Sequence, residues 1–133
     1  MSTDPRLPSA DAVGSPIILV VEDEPLIRLA ISEYLRDCGF EVIEAASGDE
    51  AQLLFIHDTR IDIVFTDVQM PGVLDGLALA RWLGEVHPTV MILVASGIAD
   101  LRALACQVCE RASVFEKPYD HQAIADRIRV LAD

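Results

Sequence analysis

Apolar positions along this 133-residue chain alternate between two patterns. Short runs rich in β-branched residues, Ile17–Val21, Glu41–Ala45, Ile61–Thr66, Val90–Val94 and Ala112–Glu116, predict strands. Three of these runs are almost wholly apolar, as strands of a parallel sheet covered on both faces must be. Between them, apolar residues recur every three or four positions, the helical period. Pro25–Cys38 carries Ile27, Ala30, Ile31, Tyr34, Leu35 and Cys38 on that spacing, with Pro25 suited to the first turn and Gly39 to the stop. Ser47-Gly48-Asp49-Glu50 has the form of a capping box and opens a helix to about His57. Gly76–Val86, Ile98–Glu110 and Tyr119–Leu131 complete the helical set, the last with Ile124, Ile128 and Leu131 on one stripe. Strand and helix thus alternate five times through short connections, which predicts an α/β domain around an open parallel sheet. Residues 1–16, with Pro5, Pro8 and Pro16 and no apolar period, read as a flexible tail before a single domain at 17–133. The last helical pattern ends with the chain, so a domain without an appended output module is expected.

Composition narrows the function. The chain is 52% hydrophobic and carries a formal charge of −12. Nucleic acid is an unfavourable partner for such a surface, because phosphate binding needs a basic footprint. No apolar run is long enough to span a bilayer, and the first residues have no signal-peptide pattern. Three cysteines cannot form a complete set of disulfides, and a reducing cytoplasm is the expected location. Nine of the ten basic residues are arginine; Lys117 is the one lysine.

In an open parallel sheet, ligands bind beyond the carboxyl ends of the strands. The polar residues at those ends are Glu22-Asp23-Glu24 after the first predicted strand, Asp67 after the third, Ser96 after the fourth and Lys117-Pro118 after the fifth. The second strand supplies none, as an edge strand would. Carboxylates brought to ~4 Å repel by roughly 4 kcal/mol at an effective dielectric near 20. Such a cluster must take up a proton or a cation. Oxygen donors without nearby His or Cys favour Mg²⁺ or a similarly hard ion. A carboxylate can also serve as nucleophile toward phosphorus, with a lysine and a hydroxyl as donors to the transferred oxygens.

These residues resemble the receiver domain of two-component response regulators. The matching pieces are Val20-Val21-Glu22-Asp23-Glu24-Pro25, Thr66-Asp67-Val68-Gln69-Met70-Pro71-Gly72 with Asp75-Gly76, Ala95-Ser96-Gly97 and Lys117-Pro118, and the likeness covers about residues 17–132. It implies a flavodoxin-like (βα)₅ fold, doubly wound, with five parallel strands in the order 2-1-3-4-5. It implies Asp67 as phosphoacceptor, with Glu22, Asp23, Asp67 and the backbone carbonyl of Gln69 holding Mg²⁺. Ser96 would contact the phosphoryl group, Lys117 would pair with it, and Lys117-Pro118 would be a cis peptide. A histidine kinase or histidine phosphotransfer protein would be the donor, a further protein the output partner, and the domain a monomer or a weak phosphorylation-dependent dimer. It would act as a signalling module, catalysing only its own phosphorylation and dephosphorylation. Two departures stand out. Val114 occupies the place of the usual switch aromatic, with Phe115 expected on the opposite face of its strand. Val73-Leu74 gives one residue more than the common spacing before Asp75-Gly76. Ser96-Gly97 is also similar to a receiver subgroup lacking that aromatic, so activation is expected to run through residues 96–109.

An aspartate-nucleophile phosphatase would need a second Asp two residues after the nucleophile, where this chain has Gln69. A flavodoxin-like electron carrier fits poorly, because an acidic first loop repels a flavin phosphate. A phosphorelay intermediate or phosphate sink fits the same residues as a terminal regulator. Cys106 and Cys109 lie inside a helical pattern with no second ligand pair and read as neither redox nor zinc site. His57, His87 and His121 read as surface residues, and Trp82, beside Leu79 and Leu83, as packing.

Overall fold

The computed structural model describes residues 16–57, 59–68, 75–97 and 112–132. The tail at 1–15, the predicted helix Ile98–Glu110 with Cys106 and Cys109, and the segment holding Gln69, Val73 and Leu74 lie outside them. Chain order is β1 (Ile17–Val21), α1 (Pro25–Asp37), β2 (Glu41–Ala45), α2 (Gly48–Ile56), β3 (Ile63–Asp67), α3 (Gly76–Val86), β4 (Met91–Ser96), β5 (Ala112–Glu116) and α4 (His121–Ala132). All five strands pair in parallel, in the order β2-β1-β3-β4-β5. This is the doubly wound 2-1-3-4-5 sheet expected from the sequence.

Alternation along each strand divides the core. Leu19, Val21, Val64, Ile92 and Val94 pack against Ala51 and Phe55 of α2 and Leu79, Ala80 and Leu83 of α3. Ile18, Val20, Phe65, Leu93 and Ala95 face the other way, against Ile31 and Leu35 of α1 and Ile124 and Ile128 of α4. Each fully buried aliphatic side chain contributes about 1.5–3 kcal/mol. Val114 joins the first layer and Phe115 the second, so the two do point to opposite faces.

Element ends shift from expectation for local reasons. β3 begins two residues later than predicted because the Asp62 carboxylate accepts the Ile17 N–H at 2.8 Å, ahead of the ladder. Strand β4 continues to Ser96, since Asp67 pairs with Ala95 and Glu116 with Ser96. Helix α4 starts at His121 rather than Tyr119: Asp120 accepts the Gln122 N–H at 3.1 Å and so takes the capping place. At α2, Ser47 Oγ accepts the Glu50 N–H at 3.1 Å, but the Glu50 carboxylate reaches Ala46 N–H instead of closing the box on Ser47. Gly39, with φ +98°, ends α1 in the left-handed region that suits glycine.

The histidines divide. His57 is exposed, as expected. His87 is half-buried, its ring 4.9 Å from Phe55 and 5.3 Å from Trp82, and His121 lies 5.4 Å from the Tyr34 ring. Those two pack on aromatic rings, which the surface reading did not anticipate; Trp82 packs as expected. Among the described residues no helix is long and apolar enough to cross a membrane.

Candidate functional site

Register assembles the site. Val21 pairs with Thr66, so Glu22, the next residue, comes level with Asp67 across β1 and β3. Asp67 in turn pairs with Ala95, which places Ser96 one step beyond it. Lys117 follows directly from β5, and its N–H donates to the Ser96 carbonyl at 2.8 Å. The Val68 N–H bonds the Ala95 carbonyl at 2.9 Å, extending the β3–β4 ladder past the last strand residue. Four chain segments therefore converge at one end of the sheet.

Glu22, Asp23 and Asp67 each offer a carboxylate oxygen within 4.8 Å of the others. Glu22 and Asp67 are buried and Asp23 half-buried. Lys117 Nζ lies 2.7 Å from Asp67 Oδ2, a charge-assisted bond between groups from the third and fifth strands. Among the described residues, one lysine stands against three carboxylates. The consequence is visible at Glu22, where burial above all, then the neighbouring Asp67 charge, pushes the carboxyl from 4.5 to about 7. Lys117 and the Glu24 N–H, 3.1 Å from Glu22 Oε2, pull the other way without prevailing. A proton on Glu22 eases the crowding as pH falls below about 7. A hard divalent cation would relieve it equally, and an all-oxygen donor set with two buried carboxylates suits such an ion.

Two features around the cluster were not legible as site residues. Tyr119 stands edge-on to Phe65 at 5.2 Å, and its phenol is pushed up to about 12 by burial and by the Glu22 and Asp67 charges. Gly76 packs so closely on the end of β3 that a Cβ there would overlap the Asp67 carbonyl oxygen. Its N–H bonds the Val68 carbonyl at 3.0 Å, and Asp75 caps α3 through the Ala78 N–H at 2.9 Å. Lys117-Pro118 is cis. Beside the cluster, an open pocket of about 560 Å³ is lined by Leu26, Ile27 and Ala30 of α1 with Lys117 and Tyr119. Ile27 and Ala30, expected on the packed stripe of α1, face this pocket instead, with Leu26 78% exposed beside them. Gln69 lies outside the described residues, so the site's described donors are side chains.

The response regulator receiver domain family matches residues 18–129. The sensor kinase CckA of Brucella abortus is 32% identical over 127 residues, 94% of this chain and 13% of that protein. The response regulator GacA of Pseudomonas viridiflava is 34% identical, over 70% of this chain and 38% of its own length. The chain thus spans a minority of the length of each of these relatives. A response regulator receiver protein from Sinorhizobium medicae superposes with a TM-score of 0.81 at 29% identity, covering 89% of this chain and 94% of that one. The response regulator TrrA from Thermotoga maritima, solved with Mg²⁺ and BeF, gives 0.75 at 26% identity, covering 87% and 98%.

Proposed function

The chain belongs to the response regulator receiver domain family, and from that premise we propose that Asp67 accepts a phosphoryl group from a histidine kinase or histidine phosphotransfer protein in a Mg²⁺-dependent reaction, the phosphorylated domain then signalling through a protein partner. The observation that carries this reading is the placement of Asp67, a buried carboxylate that shares one end of the sheet with two further carboxylates and the chain's one lysine. Its Oδ1 or Oδ2 attacks phosphorus as the P–N bond to the donor imidazole breaks, and the electron pair leaves on that nitrogen, which takes a proton. Because phosphoryl transfer is chiefly positioning and charge neutralisation, the protein's task is to hold donors around the moving oxygens.

Glu22, Asp23, Asp67 and the Gln69 carbonyl would hold Mg²⁺, as the complex of TrrA with Mg²⁺ and BeF supports by analogy. When bound, the ion supplies the positive charge that the carboxylates and the transferred oxygens both require. Lys117, 2.7 Å from Asp67, exchanges part of that bond for a phosphoryl oxygen. Ser96, at the end of β4, offers its hydroxyl from the neighbouring strand. The exposed apolar side chains of α1 beside the pocket offer a docking surface to the donor protein. The reading places the domain in the cytoplasm as a signalling module, terminal or relaying.

The test is phosphorylation of the purified chain by acetyl phosphate or phosphoramidate with Mg²⁺, followed by intact-mass measurement. One phosphoryl group on the wild type and none on Asp67→Asn is the expected result. Stoichiometric modification of Asp67→Asn would place the acceptor elsewhere, and multiple turnover of a phosphomonoester would make the chain a phosphatase.

A further inference from the structure

The β1–α1 loop that carries Glu22 and Asp23 is gripped from behind by a charged chain reaching to the edge strand. Arg28, in the second turn of α1, has a side chain only 20% exposed. Its Nη1 donates to the Glu22 carbonyl at 2.7 Å, and its Nε lies 3.3 Å from Glu44 Oε1 on β2. The other oxygen of Glu44 is 3.0 Å from Arg36 Nη2, so the anchor is itself fixed from two sides. Exposed ion pairs of this kind contribute little, but this one is half-buried, networked and joined to a backbone carbonyl.

The gripped carbonyl belongs to the Glu22–Asp23 peptide. Turning that peptide swings Asp23 relative to Glu22. The N–H of Glu22 is already held by the Ala45 carbonyl at 3.1 Å, and the N–H of Glu24 by the Glu22 carboxylate at 3.1 Å. Arg28 adds a restraint on the peptide between them. Without it, the like charge of Asp67, within 4.8 Å, favours Asp23 turning out to solvent. Glu44 gives β2 a part in the site at one remove, although its strand end supplies no ligand.

We propose that Arg28, anchored by Glu44, is a positioning residue that pre-sets the Glu22–Asp23 peptide and so fixes the separation of the carboxylates that receive the cation. This rests on the reading of the cluster as a Mg²⁺ site. Groups that orient metal ligands without touching the metal commonly change affinity by about 10- to 100-fold when removed.

The experiment is calorimetric titration of Mg²⁺ into the metal-free full chain, with backbone amide NMR of the metal-free protein alongside. Arg28→Ala and Glu44→Gln should each weaken Mg²⁺ binding by about 10-fold. The double variant should be little weaker than Arg28→Ala alone, since the two act through one contact. Amide resonances of Asp23 and Glu24 should shift in both single variants before any metal is added. Arg129→Gln, which breaks a surface pair with Asp126 on α4, should bind as wild type does. If Arg28→Ala fails to fold, Glu44→Gln, which leaves the arginine in place, decides the matter. Wild-type Mg²⁺ affinity and unmoved Asp23 and Glu24 amides in folded Glu44→Gln overturn the proposal. Failure of the wild type itself to bind Mg²⁺ overturns the cation-site reading, and the proposal with it.

Discussion

Asp62 and Asp67 stand at opposite ends of one strand and show what the same side chain becomes in two settings. Asp62 closes the amino end of the sheet. Its carboxylate accepts the Ile17 N–H at 2.8 Å and lies 3.5 Å from Arg60, while its own N–H and carbonyl bond Ile17 and Met91. Every group it brings has found a partner. Asp67, at the carboxyl end, has Lys117 at 2.7 Å but shares its space with Glu22 and Asp23. The first aspartate completes a ladder, whereas the second sits among like charges that the described residues meet with one lysine. Chemistry gathers where electrostatic satisfaction is incomplete, because an incoming cation or phosphoryl group then has something to gain.

Exchanging the roles tests this contrast. Asp67→Asn should abolish phosphoryl acceptance completely while leaving the metal-free melting temperature equal to or above wild type, since one crowded charge is gone; a marked fall in thermal stability would make Asp67 structural like Asp62. Gly76→Ala should follow in size, costing about 3 kcal/mol in denaturant titration, because a methyl at that position must displace the end of β3 itself. Asp62→Ala should cost about 1–3 kcal/mol, the penalty for stranding the Ile17 N–H, with phosphorylation unchanged in the folded protein. Altered phosphorylation in that variant would show that the two ends of β3 are coupled.

The remaining effect is a pH dependence. Glu22 is pushed up from 4.5 to about 7, so the folded protein holds its proton where the unfolded chain has lost it. Metal-free stability from this group is therefore full below about 4.5 and declines as pH rises toward 7. Glu22→Gln should flatten that decline in chemical denaturation between those limits. Mg²⁺ should displace the proton, so its affinity should rise over the same interval in wild type; a wild-type profile as flat as that of the variant would show that burial does not hold the proton.

Much of this arrangement could be read from residue patterns. The runs at Ile17–Val21, Glu41–Ala45 and Ala112–Glu116 became strands at those bounds, and Gly76–Val86 a helix at its own. Strand ends are legible because apolar alternation must match the two buried faces of the sheet. Glu22, Asp23, Asp67 and Lys117 were legible because acidic residues and a lone lysine directly follow apolar strands. Arg28 and Glu44 were not, since their significance lies in a contact between α1 and β2 that no spacing reveals. A faint signal existed: Arg28 falls three and seven residues before Ile31 and Leu35, on the stripe that packs inward. Asp62 sits in the run Ile61–Thr66 by its pattern, and only pairing shows that its carboxylate replaces a ladder partner. The ring contacts of His87 and His121 were not legible, because ring packing depends on what a neighbouring element brings, Phe55 and Trp82 in one case and Tyr34 in the other.

The scarcity of lysine has a practical consequence. A chain with nine arginines and one lysine directs amine-selective reagents, apart from its amino terminus, to a single side chain, and that side chain is 2.7 Å from Asp67. Its ammonium is held by a carboxylate and 36% exposed, so its acylation rate is set by how firmly Asp67 holds it. An ordinary active ester read by mass spectrometry thus becomes a gauge of the site's occupancy, with no label engineered into the protein.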